Sequence, residues 1–369
     1  MVAAPQAPGC AQALPISLLG VTFDPLTIGD AVERAAAAVA GRRPHFFVTA
    51  NVDFLVKARR DRELRRVLLG ADHVLCDGTP LLWASRWLGN ALPGRAAGSD
   101  LVPELIRRAA ERGWRIFFLG GTPEVAADAA HRVEVEHPGL PAVAHFSPPF
   151  RPFGPEDDAE IAARIKAAAP DLLFVSFGCP KQEKWIAAHY RQLGVPVTMG
   201  VGATVDFLAG RVCRAPRWMR RGGIEWGFRL AREPRRLFRR YADDLIHFFP
   251  QLWLQRRCLP PAPESGPVSE PSFTATSYGL RVDAGTALHR AALERQWRFW
   301  SRALDMPGHC VLALDAVRSI DSTGLALLAS WRKRRSASRR ALILFKPSRP
   351  VRHALARMRL SEFFLIAEP

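Results

Sequence analysis

Small polar and acidic side chains follow directly on short apolar runs in this sequence. Asn51 follows the run HFFVTA, and Asp77 follows HVLC and opens the stretch Asp77-Gly78-Thr79-Pro80. An acidic side chain at such a place can act as a general base toward a hydroxyl group within hydrogen-bond reach. Asp or Asn there can also cap the following helix. The local sequence leaves both interpretations open for Asp77 and, taken alone, favours the cap for Asn51.

Glycine turns follow three further apolar runs. Gly120 and Gly121 follow WRIFFL, Gly178 follows LLFVSF, and Asp206 comes shortly after the glycine turn that ends PVTMGVGA. A glycine turn that enters a helix presents backbone N–H groups to an anion and can bind phosphate. The alternative is a tight turn without a ligand, which the sequence favours for Gly120 and Gly121 taken alone. Cys179 is interpreted as a packed residue rather than a nucleophile.

These residues stand at the ends of strands in a predicted parallel sheet. Apolar runs alternate with helical patterns, which predicts an α/β fold with helices on both faces of the sheet. The strands are predicted at 45–50, 73–76, 114–119, 172–177 and 197–201. The helices are predicted at 53–69, 81–88, 101–112, 123–135, 155–168 and 182–193. Ligands of such sheets bind beyond the carboxyl ends of the strands, so the strand ends together indicate a nucleotide or nucleotide-sugar site.

Length and charge restrict the class of protein. The 369 residues suffice for two domains, and 48% hydrophobic residues exclude a disordered or fibrous chain. Lys and Arg total 52 against 35 acidic residues, a net charge of +17. This excess favours an anionic partner such as a phosphorylated substrate or an anionic membrane, whereas no nucleic-acid-binding motif accompanies the charge. The chain shows no apolar run of membrane-spanning length, and its N-terminus does not resemble a signal peptide.

Metal, cofactor and disulfide chemistry is not indicated. The six cysteines are scattered without a C-x-x-C pair, which argues against a disulfide framework and a structural zinc site and fits a reducing cytoplasm. The sequence contains no D-x-D pair, the acidic motif that often holds a metal under a nucleotide diphosphate. Charge on a leaving diphosphate would then be met by Arg, Lys or helix N-termini.

A Pro- and Ser-rich stretch divides the chain. The sequence PPAPESGPVSEP has no apolar period and indicates an exposed linker at 259–271, between a domain at 1–258 and a smaller one at 272–369. The end of the first domain, 211–257, is rich in Arg and predicts two helices split near Glu233-Pro234. This basic tail could lie on an anionic membrane, hold phosphates over the site, or be a solvated surface.

Eight ordered motifs resemble one family from about residue 16 to residue 249. They are TANVD, DGTP with WASRWLG, LPGRAAGSDL, FLGGT, GCPKQE, GVGATVDFLAG, RAPRWMRRGGIEW and RLAREPRRLFRRY. This series resembles the WecG/TagA/CpsF glycosyltransferases. The resemblance implies a Rossmann-like fold and a cytoplasmic enzyme, peripheral on the inner membrane face, that makes cell-surface polysaccharide. It further implies an inverting, metal-independent transfer from a UDP-sugar, of N-acetylmannosamine, its uronic acid or glucose type, to a polyprenyl-diphosphate-linked sugar.

The resemblance also implies roles for individual residues. Asp77 would be the general base that takes the proton of the acceptor hydroxyl. The substrate pocket would be lined by Thr49, Asn51, Arg95 and Gln182, with Asp206 toward the nucleotide. Three residues of the basic tail would reach toward the diphosphate, namely Arg229, Arg236 and Arg239. The sequence departs from the family where its Asp-Gly motif continues with Thr79-Pro80, which puts donor or acceptor choice in question.

The last hundred residues resemble a second family. The segment VLALDAVRSIDSTGLALL is similar to the STAS domain, and the match extends over about 282–364. Strands are predicted at 309–314 and 341–345, and helices at 287–304, 321–335 and 350–358. In phosphorylated STAS proteins the hydroxyl after the Asp accepts phosphate, here Ser322, at a helix N-terminus that favours negative charge. The alternative is that Asp321 and Ser322 only cap the helix.

Two functions of different class remain open. The first is the glycosyltransferase with a STAS module for regulation or for docking a protein partner. The second is a regulatory or interaction protein that binds a UDP-sugar without turnover. A nucleotide-sugar epimerase or dehydrogenase is disfavoured because the sequence lacks G-x-G-x-x-G.

Overall fold

The computed structural model describes residues 14–216, 218–219, 225–232, 234–261, 268–276 and 279–368. These residues form two compact units. The large unit comprises Leu26–Ala84 and Gly94–Leu252. The small unit comprises residues 14–25, Ser85–Pro93 and the described residues from Trp253 onward.

The strands and helices follow in chain order. The strands are β1 Ile16–Leu18, β2 Val21–Phe23, β3 His45–Ala50, β4 His73–Cys76, β5 Ile116–Gly120, β6 Ala144–Phe146, β7 Leu172–Ser176, β8 Val197–Gly200, β9 Ser272–Thr276, β10 Gly279–Asp283, β11 Ala287–Leu288, β12 His309–Ala313, β13 Ser319–Ile320, β14 Leu342–Phe345 and β15 Leu365–Ala367. The helices are α1 Ile28–Ala40, α2 Val52–Arg60, α3 Arg62–Gly70, α4 Thr79–Trp87, α5 Gly98–Arg112, α6 Pro123–Glu136, α7 Pro155–Ala168, α8 Lys181–Leu193, α9 Thr204–Leu208, α10 Glu225–Arg232, α11 Pro234–Cys258, α12 Arg290–Arg295, α13 Trp297–Asp305, α14 Ser322–Ala337 and α15 Arg349–Arg357.

A six-stranded parallel sheet forms the centre of the large unit. Its strands lie in the order β4-β3-β8-β7-β5-β6. Phe118 of β5 and Phe174 of β7 are fully buried and stack at 5.8 Å between ring centroids. The predicted parallel α/β sheet is therefore confirmed. Because Ala50 pairs with Cys76, the next residues of the two strands, Asn51 and Asp77, emerge side by side at the carboxyl edge.

Local capping explains where several helices begin. Thr27 and Asp30 form a reciprocal capping box at the start of α1. The Thr122 hydroxyl accepts the Val125 N–H at 3.3 Å, and Pro123 fills the first helical position of α6. The expected single helix over 53–69 is wrong. The chain turns extended at Asp61, whose carboxylate accepts the Leu64 N–H at 3.0 Å and starts α3.

The small unit contains a second, mixed sheet in the order β15-β14-β12-β10-β9. Only the β9–β10 pair is antiparallel among its described pairings. Trp300 and Trp331 are fully buried and meet edge to face at 5.9 Å. The expected helix over 287–304 is wrong at its start. Residues 287–288 pair with β13 as a short parallel strand, which uses backbone groups that a helix would need, and α12 and α13 follow separately.

Candidate functional site

A cavity of about 300 Å³ opens at the carboxyl ends of β3 and β4 in the large unit. This volume lies at the small end of the range for ligand pockets. Its lining includes Asn51, Asp53, Asp77, Gly78, Trp83, Arg95, Ser99, Glu225, Trp226, Arg240, Tyr241, Asp244, Leu245, Phe248 and Phe249. One side of the cavity is thus formed by strand ends and the other by helices α10 and α11.

The two strand-end residues predicted from the sequence meet in this cavity. Asn51 is the N-cap of α2, and its side-chain oxygen accepts the Phe54 N–H at 3.4 Å, so it both caps a helix and lines the cavity. Asp77 is half-buried, and its N–H donates to the Ala50 carbonyl at 2.9 Å. Helix α4 begins two residues after Asp77. The Asp77 carboxylate therefore stands on a backbone fixed by the neighbouring strand.

Thr49 lies beneath this pair rather than on the cavity surface. It is buried in β3, two residues before Asn51. A Cβ atom on Gly98 would approach the Thr49 hydroxyl to 3.1 Å. The glycine at the start of α5 thus allows this helix to pack closely over the strand.

Arg95 is held by two carboxylates. It donates to Glu225 at 3.0 Å and to Asp100 at 2.7 Å. Asp100 also accepts from Arg214 at 2.7 Å, so the ion pairs form a continuous network. Burial alone would lower the pKa of Arg95, but its bond to Glu225 and the charges of Asp100 and Asp77 raise it. The cavity therefore contains a permanent guanidinium in a fixed orientation.

Helix α11 brings an acidic residue that the sequence analysis missed. Asp244 is 7% exposed and lines the cavity. Burial raises the pKa of Asp244 to about 7, the charge of Asp53 adds to the shift, and Arg240 offsets part of it. Asp53 is itself paired with Lys57 at 2.8 Å. The only sequence signal for Asp244 was its position between the apolar residues of an amphipathic helix.

Exposed apolar side chains surround the mouth of the cavity. Trp83, Trp226, Leu245 and Phe249 line it while remaining 58%, 52%, 53% and 49% exposed. Three of these four residues are aromatic, and we call the four together the aromatic rim. A cluster of large apolar side chains left in solvent marks a surface that binds an apolar partner.

Some residues predicted for the site lie elsewhere in the large unit. Gln182 is buried in α8, where its amide donates to Glu183 at 2.6 Å and its oxygen accepts the Gly178 N–H at 3.1 Å. The Gly178 N–H is therefore already bonded within the chain. Burial raises the pKa of Glu183 to about 6. Asp206 is half-buried in α9 and does not line the cavity.

The glycine pair after β5 also lies outside the cavity lining. Gly120 has φ +96°, and a Cβ atom there would stand 2.7 Å from the Ser176 carbonyl oxygen. The Gly121 N–H donates to the same carbonyl at 3.1 Å. Both observations agree with a tight turn held against β7, which is the alternative that the local sequence favoured.

The basic tail is described in part. Arg239 is exposed on α11, and Arg240 rather than Arg239 contributes to the cavity lining. The side chains of Arg229 and Arg236, both predicted to face the diphosphate, lie outside the described residues. The expected break near Glu233-Pro234 falls between α10 and α11, with Glu233 itself outside the description.

Ser322 is fully buried within the small unit. Its hydroxyl accepts a hydrogen bond from Gln255 at 2.9 Å. Asp321 is the N-cap of α14 and accepts from the N–H groups of Thr323 and Gly324 at 2.8 and 3.0 Å. The capping role of Asp321 is thus observed, and phosphate transfer to Ser322 stays a prediction.

Cys76 ends β4, and Cys179 lies two residues before α8. Burial raises the pKa of Cys76 and of Cys179, so neither is a ready thiolate nucleophile. Over the described ranges, no cluster of three or more His, Cys, Asp or Glu side chains is arranged to hold a metal ion. None of the helices within those ranges combines the length and the hydropathy needed to cross a bilayer.

Comparison with known proteins gives two family matches. Residues 16–260 match the Glycosyl transferase WecG/TagA/CpsF family, and residues 268–368 match the STAS domain. An N-acetylglucosaminyldiphosphoundecaprenol N-acetyl-beta-D-mannosaminyltransferase of Staphylococcus aureus is 31% identical over 61% of this chain and 87% of its own length. The protein of the same name from Bacillus spizizenii is 34% identical over 52% of this chain and 72% of its own length. The chain therefore belongs to the WecG/TagA/CpsF glycosyltransferase family and carries a C-terminal STAS domain.

Proposed function

We propose that this glycosyltransferase moves a sugar from a UDP-sugar to a polyprenyl-diphosphate-linked sugar, with inversion and without a metal ion. The observation that carries the proposal is the meeting of Asn51, Asp77 and Arg95 on one cavity at the carboxyl edge of the sheet. The named relatives supply the acceptor class, since their names specify an undecaprenol-diphosphate-linked N-acetylglucosamine. The product belongs to a cell-surface polysaccharide.

In the proposed mechanism Asp77 is the general base. The acceptor hydroxyl oxygen attacks the anomeric carbon of the donor while the bond to the UDP oxygen breaks. The hydroxyl proton passes to the Asp77 carboxylate, and UDP leaves with the bonding electron pair. A single displacement of this kind inverts the anomeric centre. Asn51 would fix a sugar hydroxyl beside Asp77, because positioning of the reactants supplies a large share of the rate.

Cations beside the cavity would stabilise the leaving diphosphate. Arg240 lines the cavity from α11, and Arg95 lies on the opposite side, paired with two carboxylates. Fixed positive charge is most effective where negative charge develops in the transition state. Arg229, Arg236 and Arg239 of the basic tail would add to it, as the family resemblance implies. Thr49, Gln182 and Asp206 would support the pocket from behind its surface.

The aromatic rim and the basic tail would hold the enzyme to the inner face of the cell membrane. The rim places apolar side chains in solvent around the cavity mouth. Arg235 and Arg239 are exposed on α11. Apolar and basic side chains together favour an anionic membrane surface. A membrane-bound acceptor would then enter the cavity directly from the lipid side.

We further propose a functional division of the chain into a catalytic domain at 1–258, a linker at 259–271 and a STAS module at 272–369. The STAS module would regulate the enzyme or dock a protein partner. Residues 262–267 of this linker lie outside the described structure.

Release of UDP by the purified full-length chain tests the proposal. The assay would offer UDP-glucose, UDP-N-acetylmannosamine and its uronic acid, each with and without a lipid-diphosphate-N-acetylglucosamine acceptor, in the presence of EDTA. We expect acceptor-dependent UDP release with at least one donor and no loss in EDTA. Donor binding without turnover under all conditions would favour the regulatory, UDP-sugar-binding alternative.

A further inference from the structure

We propose that Asp244 is a sugar-binding, specificity-determining residue that makes the cavity accept a neutral donor sugar and reject a uronate. The inference rests on the proposed function and names the class of donor that the site takes.

Most acidic groups near the cavity have a cationic partner. Glu225 is paired with Arg95 at 3.0 Å, and Asp53 is paired with Lys57 at 2.8 Å. Asp243, next to Asp244 in the sequence, has a side chain that is 44% exposed and is paired with Arg60 at 3.1 Å. Each of these three carboxylates therefore has a cation within ion-pair distance.

Asp244 differs from this pattern. It is more than nine-tenths buried and lines the cavity. Within the part of the chain that the structure describes, its carboxylate accepts no hydrogen bond, although Arg240 and Lys57 lie near enough to offset part of its pKa shift. A buried carboxylate needs hydrogen-bond donors, because leaving it without them is costly. Sugar hydroxyl groups are donors of the required kind, and one carboxylate can accept from two of them.

The same carboxylate disfavours an acidic sugar. A cavity of about 300 Å³ has the volume of a sphere roughly 8 Å across, and this span is comparable to the screening length of about 8 Å at physiological ionic strength. A uronate anywhere in the cavity would therefore feel the negative charges of Asp77 and Asp244. The cations that line the described cavity are Arg95, which is paired twice, and Arg240, which the proposed mechanism assigns to the diphosphate.

Because Asp244 is a weak acid, the preference for a neutral donor sugar over a uronate should depend on pH. Burial and Asp53 raise the pKa of Asp244 to about 7, so Asp244 is largely ionised at pH 8 and largely protonated at pH 6. The charged groups that act on it or share the cavity lining with it are Asp53 and Lys57 of α2, Arg240 and Asp243 of α11, Asp77 and Arg95 on the sheet side, and Glu225 of α10. Rejection of a uronate should weaken as the pH falls toward 6, while the uronate itself remains charged.

The test compares kcat/KM for UDP-N-acetylmannosamine and for UDP-N-acetylmannosaminuronic acid in the full-length enzyme. We expect wild type to prefer the neutral donor at least tenfold at pH 8. Asp244→Asn should reduce this ratio at least fivefold, chiefly by raising the uronate rate. The matched control Asp243→Asn should leave the ratio unchanged. A wild-type preference for the uronate, or an unchanged ratio in Asp244→Asn, overturns the inference.

A second measurement does not depend on the variant folding. In wild type the neutral-to-uronate ratio should fall at least threefold between pH 8 and pH 6, and a ratio constant across this range contradicts the inference. The proposed function fails separately, when no donor supports acceptor-dependent transfer. If transfer proceeds but the enzyme uses both donors equally well, the proposed transferase function stands and only the role of Asp244 is refuted.

Discussion

Arg95 donates a hydrogen bond to Glu225 at 3.0 Å, although 130 residues separate them in the chain. The bond ties the loop before α5 to the first residue of α10. Glu225 is 6% exposed and is the first residue of α10. One ion pair thus connects the sheet side of the cavity to its helical side.

Glu225→Ala should weaken both the fold and the site. The half-buried Arg95 guanidinium would keep Asp100 but lose its second carboxylate, so we expect a loss of about 2 kcal/mol in the free energy of unfolding. The kcat/KM for sugar transfer should fall about tenfold because Arg95 gains freedom. Urea unfolding and steady-state kinetics measure the two effects. Arg107→Ala, which breaks exposed ion pairs within α5, should change neither quantity. Equal effects of both substitutions would contradict a special role for the buried pair.

The raised pKa of Asp244 predicts how stability changes with pH. Its value of about 7 in the folded chain lies above the ordinary value for Asp. Folding therefore favours the protonated acid, and the stability that this contributes is present below about pH 4 and is lost as the pH rises through 7. Relative to wild type, Asp244→Asn should gain about 2 kcal/mol in the free energy of unfolding between pH 5 and pH 8, with allowance for solvent in the cavity.

Urea unfolding of both proteins at the two pH values measures this gain. Glu183, whose pKa burial raises to about 6, changes stability in the same direction in both proteins. Only the difference between wild type and Asp244→Asn therefore reports on Asp244. A difference that is constant from pH 5 to pH 8 would show that Asp244 titrates like an ordinary surface residue.

Gly120 and Gly178 form a matched pair for testing the turns at the sheet edge. Both have positive φ, but a Cβ atom on Gly120 would stand 2.7 Å from the Ser176 oxygen, whereas none of the described atoms lies within 4 Å of a Cβ on Gly178. Gly120→Ala should cost about 3 kcal/mol in the free energy of unfolding, and Gly178→Ala about 1 kcal/mol. Thermal or urea unfolding compares them, and equal losses would refute the close approach at Gly120.

The aromatic rim predicts a selective effect on lipid-linked acceptors. Trp226→Ser and Phe249→Ser together should raise KM for a long-chain polyprenyl acceptor at least tenfold. They should leave KM for a water-soluble short-chain acceptor within about twofold. Phe150, which is fully exposed and outside the cavity lining, supplies the control variant Phe150→Ser. Loss of activity with both acceptors would indicate damage to the cavity rather than loss of lipid contact.

Local patterns predicted the parts of the fold that depend on local chemistry. The strands ending at Asn51 and Asp77 are continuous apolar runs, and their parallel pairing brings the two side chains together, as expected from the sequence. Helix α7 has the predicted bounds, Pro155–Ala168, since Pro begins it and the acidic first turn favours its N-terminus. Strands β1 and β2 have three residues each, too few to show a period, and were not predicted.

Contacts between distant segments could not be obtained from local patterns. The sequence indicated a basic tail near the site, but which of its residues reach the cavity depends on the rotation of α11. The rotation places Arg240 and Asp244 on the lining and leaves Arg239 exposed. In the small unit, the hydroxyl of Ser322 resembles a phosphoacceptor by sequence, yet it is buried against Gln255, 67 residues earlier. Helical spacing shows which residues share one face of a helix, but tertiary packing determines which segment that face contacts.

The most direct test of the central claim is the rate of sugar transfer by Asp77→Asn. This substitution keeps the size of the side chain and one acceptor oxygen but removes the negative charge and the basicity. With a UDP-sugar that wild type uses and a lipid-diphosphate-N-acetylglucosamine acceptor, we predict that kcat falls by about 10²- to 10⁴-fold. UDP binding, measured by calorimetry on the same samples, should stay within about threefold of wild type. Transfer by Asp77→Asn at the wild-type rate would contradict the assignment of Asp77 as the general base and of this cavity as the active site.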